Sequence, residues 1–143
     1  MDDPYNLQRF LLQHEDIFDH ALGEIRAGEK RSHWMWFIFP QLRGLGHSPA
    51  SQYYGVGSME EARAYLHHPV LGPHLRKATE AALLWSGRRS AEQILGPVDA
   101  MKLRSSMTLF DVLEPGGLFG EVLEGFYGGQ RDERTLALLN GAA

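Results

Sequence analysis

Asp99, Lys102 and Ser106 recur at helical spacing within the segment DAMKLRSSMTLFDVL. At 100° per residue they share one face with Leu103, Phe110 and Leu113. A lysine among apolar side chains needs a partner or loses its charge. Two readings stand. In one, Asp99 pairs with Lys102 at the helix start and Ser106 bonds back to a carbonyl one turn earlier. In the other, the three line a polar pocket in which Lys102 binds an anion or acts in acid–base chemistry. On the same wheel Arg104 and Asp111 form the polar arc, and solvent exposure is expected of both. A Ser–Lys nucleophile made from Ser105 or Ser106 with Lys102 is a weaker third reading, because no oxyanion site accompanies it.

A second group with chemical capacity is Lys30, Arg31 and His33. Ser32 reads as a helix N-cap, so two cations and a histidine meet free backbone N–H groups, a setting that binds phosphate or carboxylate. The alternative is a structural histidine beside two solvated cations. Trp34 and Trp36 read first as core and second as a stacking platform for a base. Gln41 and Arg43, just past Pro40, are placed to line the mouth of such a pocket. Other signals are weaker. Gly44-Leu45-Gly46 lacks the strand and lysine of a phosphate loop. The seven histidines include no metal-binding HExxH, and His67 and His68 point to different helix faces, so neither metal nor cofactor is expected.

These groups must be positioned by the stretch KRSHWMWFIFPQLRGLG, in which Trp34 to Phe39 are six consecutive large apolar residues. Each stabilises the fold by about 1.5–3 kcal/mol when buried. The run is therefore expected to be a short buried helix stopped by Pro40, the central post of the fold, with a buried strand as the competing reading. Asp3-Pro4 reads as a helix start, His14-Glu15-Asp16 as a polar break, and Gly28 as a left-handed helix end. Ser48-Pro49 opens a helix through Tyr54, and Ser58–Glu61 and Ser90–Gln93 read as capping boxes. Longer helices follow the prolines at 69 and 73 and at 97, and two more close the chain, the last capped by Asp132. Without strand alternation or internal repeats, the class is all-α, with 1–143 as a single helical domain.

Composition excludes several functions. With 43% hydrophobic and 22% charged residues the chain is not a disordered one. A net charge of -4 gives no general attraction to nucleic acid or anionic membrane, though it leaves room for a local basic patch. There is no cysteine, which removes disulfide and thiolate chemistry and fits a reducing compartment. No apolar run approaches the roughly 18 residues needed to span a bilayer, and the acidic start MDDPYNLQRF is unlike a signal peptide. A cytoplasmic location is expected.

The segments DPYNLQRFLLQH, KRSHWMWFIFPQLRGLG, EEARAYLHHPVLGPHL, KLRSSMTLF and TLALL resemble the bacterial family designated domain of unknown function number 1810, from about Asp3 to Leu139. The resemblance implies a small multihelical fold with two buried central helices, here the aromatic run and the Lys102 helix. It implies no reaction. Some relatives carry the label calpastatin, but calpastatins are disordered inhibitors and this well-patterned chain gives that label no support. Three functions follow as expectations. The first is a binding module for a small anionic ligand, a nucleotide or ADP-ribose-like metabolite, held between the two central helices. The second is a hydrolase or transferase using His33 and Lys102 in the same pocket. The third is an interaction module with no small-molecule site. Oligomeric state is not legible.

Overall fold

The computed structural model describes residues 2–141, and among these the chain forms nine helices and no strand. They are α1 (Gln8–Ala27), α2 (Met35–Ile38), α3 (Pro49–Tyr54), α4 (Met59–His67), α5 (Leu71–Leu83), α6 (Ala91–Leu95), α7 (Pro97–Leu113), α8 (Leu118–Tyr127) and α9 (Glu133–Leu139). The all-α expectation holds. No helix among the described residues is long and apolar enough to cross a membrane.

Local chemistry sets most of the boundaries. The hydroxyls of Ser48, Ser58 and Ser90 accept the N–H three residues on, and Gln93 returns to the Ser90 N–H to complete a capping box. Gly28 ends α1 at φ 75°, and the Trp85 ring would lie 2.8 Å from a Cβ there, so both conformation and space demand glycine. In α1 two expectations are corrected. Asp3 does cap, accepting from the Leu7 and Gln8 N–H groups at 2.8 and 3.0 Å, but α1 begins only at Gln8 because Asn6 turns left-handed at φ 52°. The polar triplet at 14–16 does not break α1. His14 faces the core and stacks on Phe18, while Glu15 and Asp16 face solvent.

Two long helices carry the packing. α7 contacts α4, α6, α8 and α9, and α5 contacts α1, α2, α4 and α8. The aromatic run is buried as expected, except that Trp36 is only half-buried. It is shorter than expected, a single turn beginning after Trp34 and not after Ser32. Phe39 leaves helical geometry at ψ 76°, as a residue before proline tends to do. Beyond it, an isolated parallel bridge between Leu42 and Val56 closes the loop that carries α3.

A one-turn helix leaves its carbonyls without intrahelical donors. The Phe37 carbonyl is rescued by His14 Nε2 at 2.6 Å and the Tyr65 hydroxyl at 3.1 Å. With Nε2–H donating there, His14 Nδ1 must accept, and His74 Nδ1–H donates to it at 2.9 Å. Burial lowers the His14 pKa to about 4, and neighbouring His74 and His68 push the same way against the Phe37 carbonyl. The unfolded chain therefore takes up a proton near pH 6.5 that the folded chain refuses until about pH 4. This contribution is complete above pH 6.5 and is lost progressively as pH falls towards 4. Between pH 7 and 4.5, urea melts should show the wild type losing about 2 kcal/mol more than a His14→Gln variant. Parallel losses would mean that His14 is not held neutral by the fold.

Candidate functional site

The segment after α1 offers donors at Arg31, Ser32 and Trp34, as a phosphate cradle would. In the fold they converge on the chain's own Glu24. Its carboxylate accepts from the N–H groups of Arg31 (2.7 Å) and Ser32 (3.0 Å), the Ser32 hydroxyl (2.7 Å) and the Trp34 indole (2.9 Å). Burial alone would raise the Glu24 pKa, but these bonds outweigh it and hold it down to about 2. Arg31 points outward to Glu29, 3.2 Å away, and His33 is exposed. The rim expected to hold an external anion is thus filled from within.

Lys30 leaves that rim for α7. Its ammonium lies 2.8 Å from Asp99 Oδ2, and Lys102 lies 3.2 Å from Asp99 Oδ1. Burial would raise the Asp99 pKa, but the two ammonium groups hold it below the ordinary carboxylate value. Lys102 continues over the face of Trp36, 3.9 Å from the ring centroid, a cation–π contact. Lys30, Asp99, Lys102 and Trp36 therefore form one chain of contacts from the core to the surface.

That chain ends in a cleft of about 700 Å³ between the aromatic run, the first half of α7 and residues 130–136. Of the residues singled out by sequence, Trp36, Gln41, Lys102 and Ser105 line it, with Asp99 behind Lys102. The rest lie elsewhere. Trp34 is core, and Arg43 donates to the Gln52 and Gly55 carbonyls. Ser106 is buried, and its hydroxyl has no hydrogen-bond partner among the described residues. The expected bond back to a carbonyl is made instead by Ser105, to Met101 O at 3.2 Å.

Sequence reasoning missed much of the wall. The cleft lining adds Arg104, Arg131 and Arg134 to Lys102, with the carboxylates of Asp132 and Glu133 among them; Lys102 is paired with Asp99, Arg104 lies near Asp132 and Arg131 holds Asp111. Asp132 was legible as the cap of α9, but not that it also accepts from Ser105 and that its N–H donates to Thr108, docking α9 onto α7. The expected solvent arc of α7 fails at Asp111, which is buried beneath Arg131 with α8 packed over this helix. Met101, apolar by type, is nonetheless exposed and lines the cleft.

Besides the exposed side chains of Gln130 and Glu133, those of Gln41 and Trp36 in the cleft have no hydrogen-bond partner in the protein among the described residues. The Gln41 side-chain amide makes no hydrogen bond, and although the residue is 8% exposed its amide reaches solvent in the cleft. The indole N–H groups of Trp34 and Trp85 both find acceptors, and that of Trp36 finds none. A second cavity, about 760 Å³ and rich in glycine, lies among α7, α8 and the end of α5, and its buried carboxylate, Asp111, is held by Arg131 and the Gly116 N–H.

Lys30 is the closer and more buried partner of Asp99, its side chain 9% exposed against 21% for Lys102. Lys30→Met should therefore cost about 3 kcal/mol, the low end for breaking a buried pair. Lys102→Met, with Lys30 still in place, should cost less than about 1 kcal/mol. Denaturant melts that reversed this order would make Lys102 the structural partner.

Residues 4–139 match the family described as protein of unknown function (DUF1810), and the chain belongs to that family. No curated protein matches the chain. The crystal structure of a conserved hypothetical protein from Mycobacterium tuberculosis is 49% identical, with a TM-score of 0.93 over 96% of this chain and 99% of that one.

Proposed function

We propose that this member of the DUF1810 family is a binding module for a small anionic ligand of the nucleotide or ADP-ribose class, held in the cleft between the aromatic run and α7. The observation that carries this reading is Gln41. Its amide makes no hydrogen bond to protein among the described residues and reaches solvent in a cleft that also holds Lys102, Arg104, Arg131 and Arg134, so its donor and acceptor are both free for a ligand. A glutamine amide offers a donor and an acceptor together, the pattern that reads a base edge. Arginine forks suit phosphate oxygens, and Trp36 adds an aromatic surface. The enzymatic alternative is less well supported, because His33 is exposed and is not part of the lining that holds Lys102.

Thermal unfolding with ADP, ADP-ribose and pyrophosphate tests the reading. A ligand at 100 times its dissociation constant adds about 2.7 kcal/mol of stability. At least one of these anions should raise the midpoint. Gln41→Leu should remove that rise without lowering the midpoint of the free protein. No shift with any of them at millimolar concentration would contradict the proposal.

A further inference from the structure

The cleft is chemically graded along α7. Val98 and Met101 are 67% and 68% exposed, and both line it. They stand one turn apart at the start of the helix, where large apolar side chains gain nothing from water. The other exposed large apolar residues, Leu12, Tyr53, Val70 and Leu84, are scattered through the chain. Lys102 follows, resting on Trp36. One turn further the α7 lining turns polar, with Leu45 and Leu136 also in the cleft wall, and side-chain bonds to α7 fix residues 131 and 132 at that end. Ser105 donates to Asp132 at 3.1 Å, the Asp132 N–H donates to Thr108 at 2.9 Å, and Arg104 lies 3.8 Å from Asp132. Arg134 is pinned nearby by the Leu45 carbonyl at 3.0 Å. From Val98 to Ser105 the helix rises about 10 Å at 1.5 Å per residue.

From this grading we infer that the ligand is elongate and bipolar, lying along α7 with an apolar ring at Val98 and Met101 and its terminal anion among Arg104, Arg134 and Arg131, the last of which also holds Asp111. The inference rests on the anion-cleft reading and narrows it. A nucleoside diphosphate has a ring and a terminal anion at that separation, whereas in ADP-ribose the diphosphate is internal. Inorganic phosphate and pyrophosphate fill only the basic end, and an unphosphorylated nucleoside fills only the apolar end. Val98 and Met101 become specificity-determining residues, a role that their exposure leaves free of any duty to the core.

Calorimetric titration of the intact protein with ADP, pyrophosphate and adenosine tests this. ADP should bind at least about tenfold more tightly than either fragment, because each fragment forgoes the binding free energy of one end of the cleft. The double variant Val98→Ser with Met101→Ser should weaken ADP about tenfold and leave pyrophosphate unchanged, with an unchanged melting midpoint showing that the fold is intact. Arg134→Ala should weaken ADP and pyrophosphate alike. Equal affinity for ADP and pyrophosphate, indifferent to the double variant, would overturn the bipolar site while leaving an anion cleft. Absence of binding by all three would overturn the bipolar site, and absence of ADP-ribose binding as well would overturn the anion cleft.

Discussion

The constraint on which the rest depends is the buried Glu24 carboxylate. The segment between α1 and α2 has no secondary structure to satisfy its N–H groups, and it runs over the surface from the buried Gly28 to the buried Trp34. Glu24 gathers two of those N–H groups, a hydroxyl and an indole onto two oxygens. Charge-assisted bonds of this kind are about twice as strong as neutral ones. They fix where the aromatic run begins and which way Trp34 enters the core. They leave Lys30, one residue upstream, reaching across to Asp99 on α7. The position of Lys102 over Trp36, and with it the cleft, follows from that reach.

Glu24 is one of three buried polar residues on α1 that serve irregular backbone elsewhere. Arg9 donates to the carbonyls of Tyr5, Asn6, Tyr53 and Gly55 and pairs with Glu61 at 2.5 Å, tying the start of α1 to the end of α3 and the start of α4. His14 and Tyr65 serve the carbonyl at the end of α2. A chain with short helices has many orphan backbone groups, and burying them unpaired would cost more than its marginal stability allows. Long α1 therefore does two jobs. One face packs on α5 and α2, and its buried polar side chains complete the hydrogen bonding of the segments that surround them.

What was legible in the sequence was what local chemistry decides. Ser48, Ser58, Ser90 and Asp132 cap where their spacing to the next residues predicts, because a cap needs only its own turn. The aromatic run had to be buried on composition alone. The errors lie where distant segments decide. Asp111 sits on the polar arc of its own helix, and only the arrival of Arg131 from the loop after α8 makes it a buried charge. The Lys30–Arg31–His33 rim has the right residues for an anion, and no local signal says that a glutamate six residues before Lys30 already fills it. The cleft was half legible. Trp36, Gln41, Lys102 and Ser105 were picked out, but the arginines that give it charge come from a segment whose docking on α7 is purely tertiary.

The central claim is that ligand meets the chain at Trp36 and not at the rim that Glu24 occupies. The three indole N–H groups report on this separately, since Trp34 is bonded to Glu24, Trp85 to the Ile25 carbonyl, and Trp36 to no protein acceptor among the described residues. A proton–nitrogen correlation spectrum recorded during titration with ADP resolves them. The Trp36 resonance should shift saturably while those of Trp34 and Trp85 stay in place. A shift at Trp34 with Trp36 unmoved would put the anion at the rim, displacing Glu24, and would contradict the account.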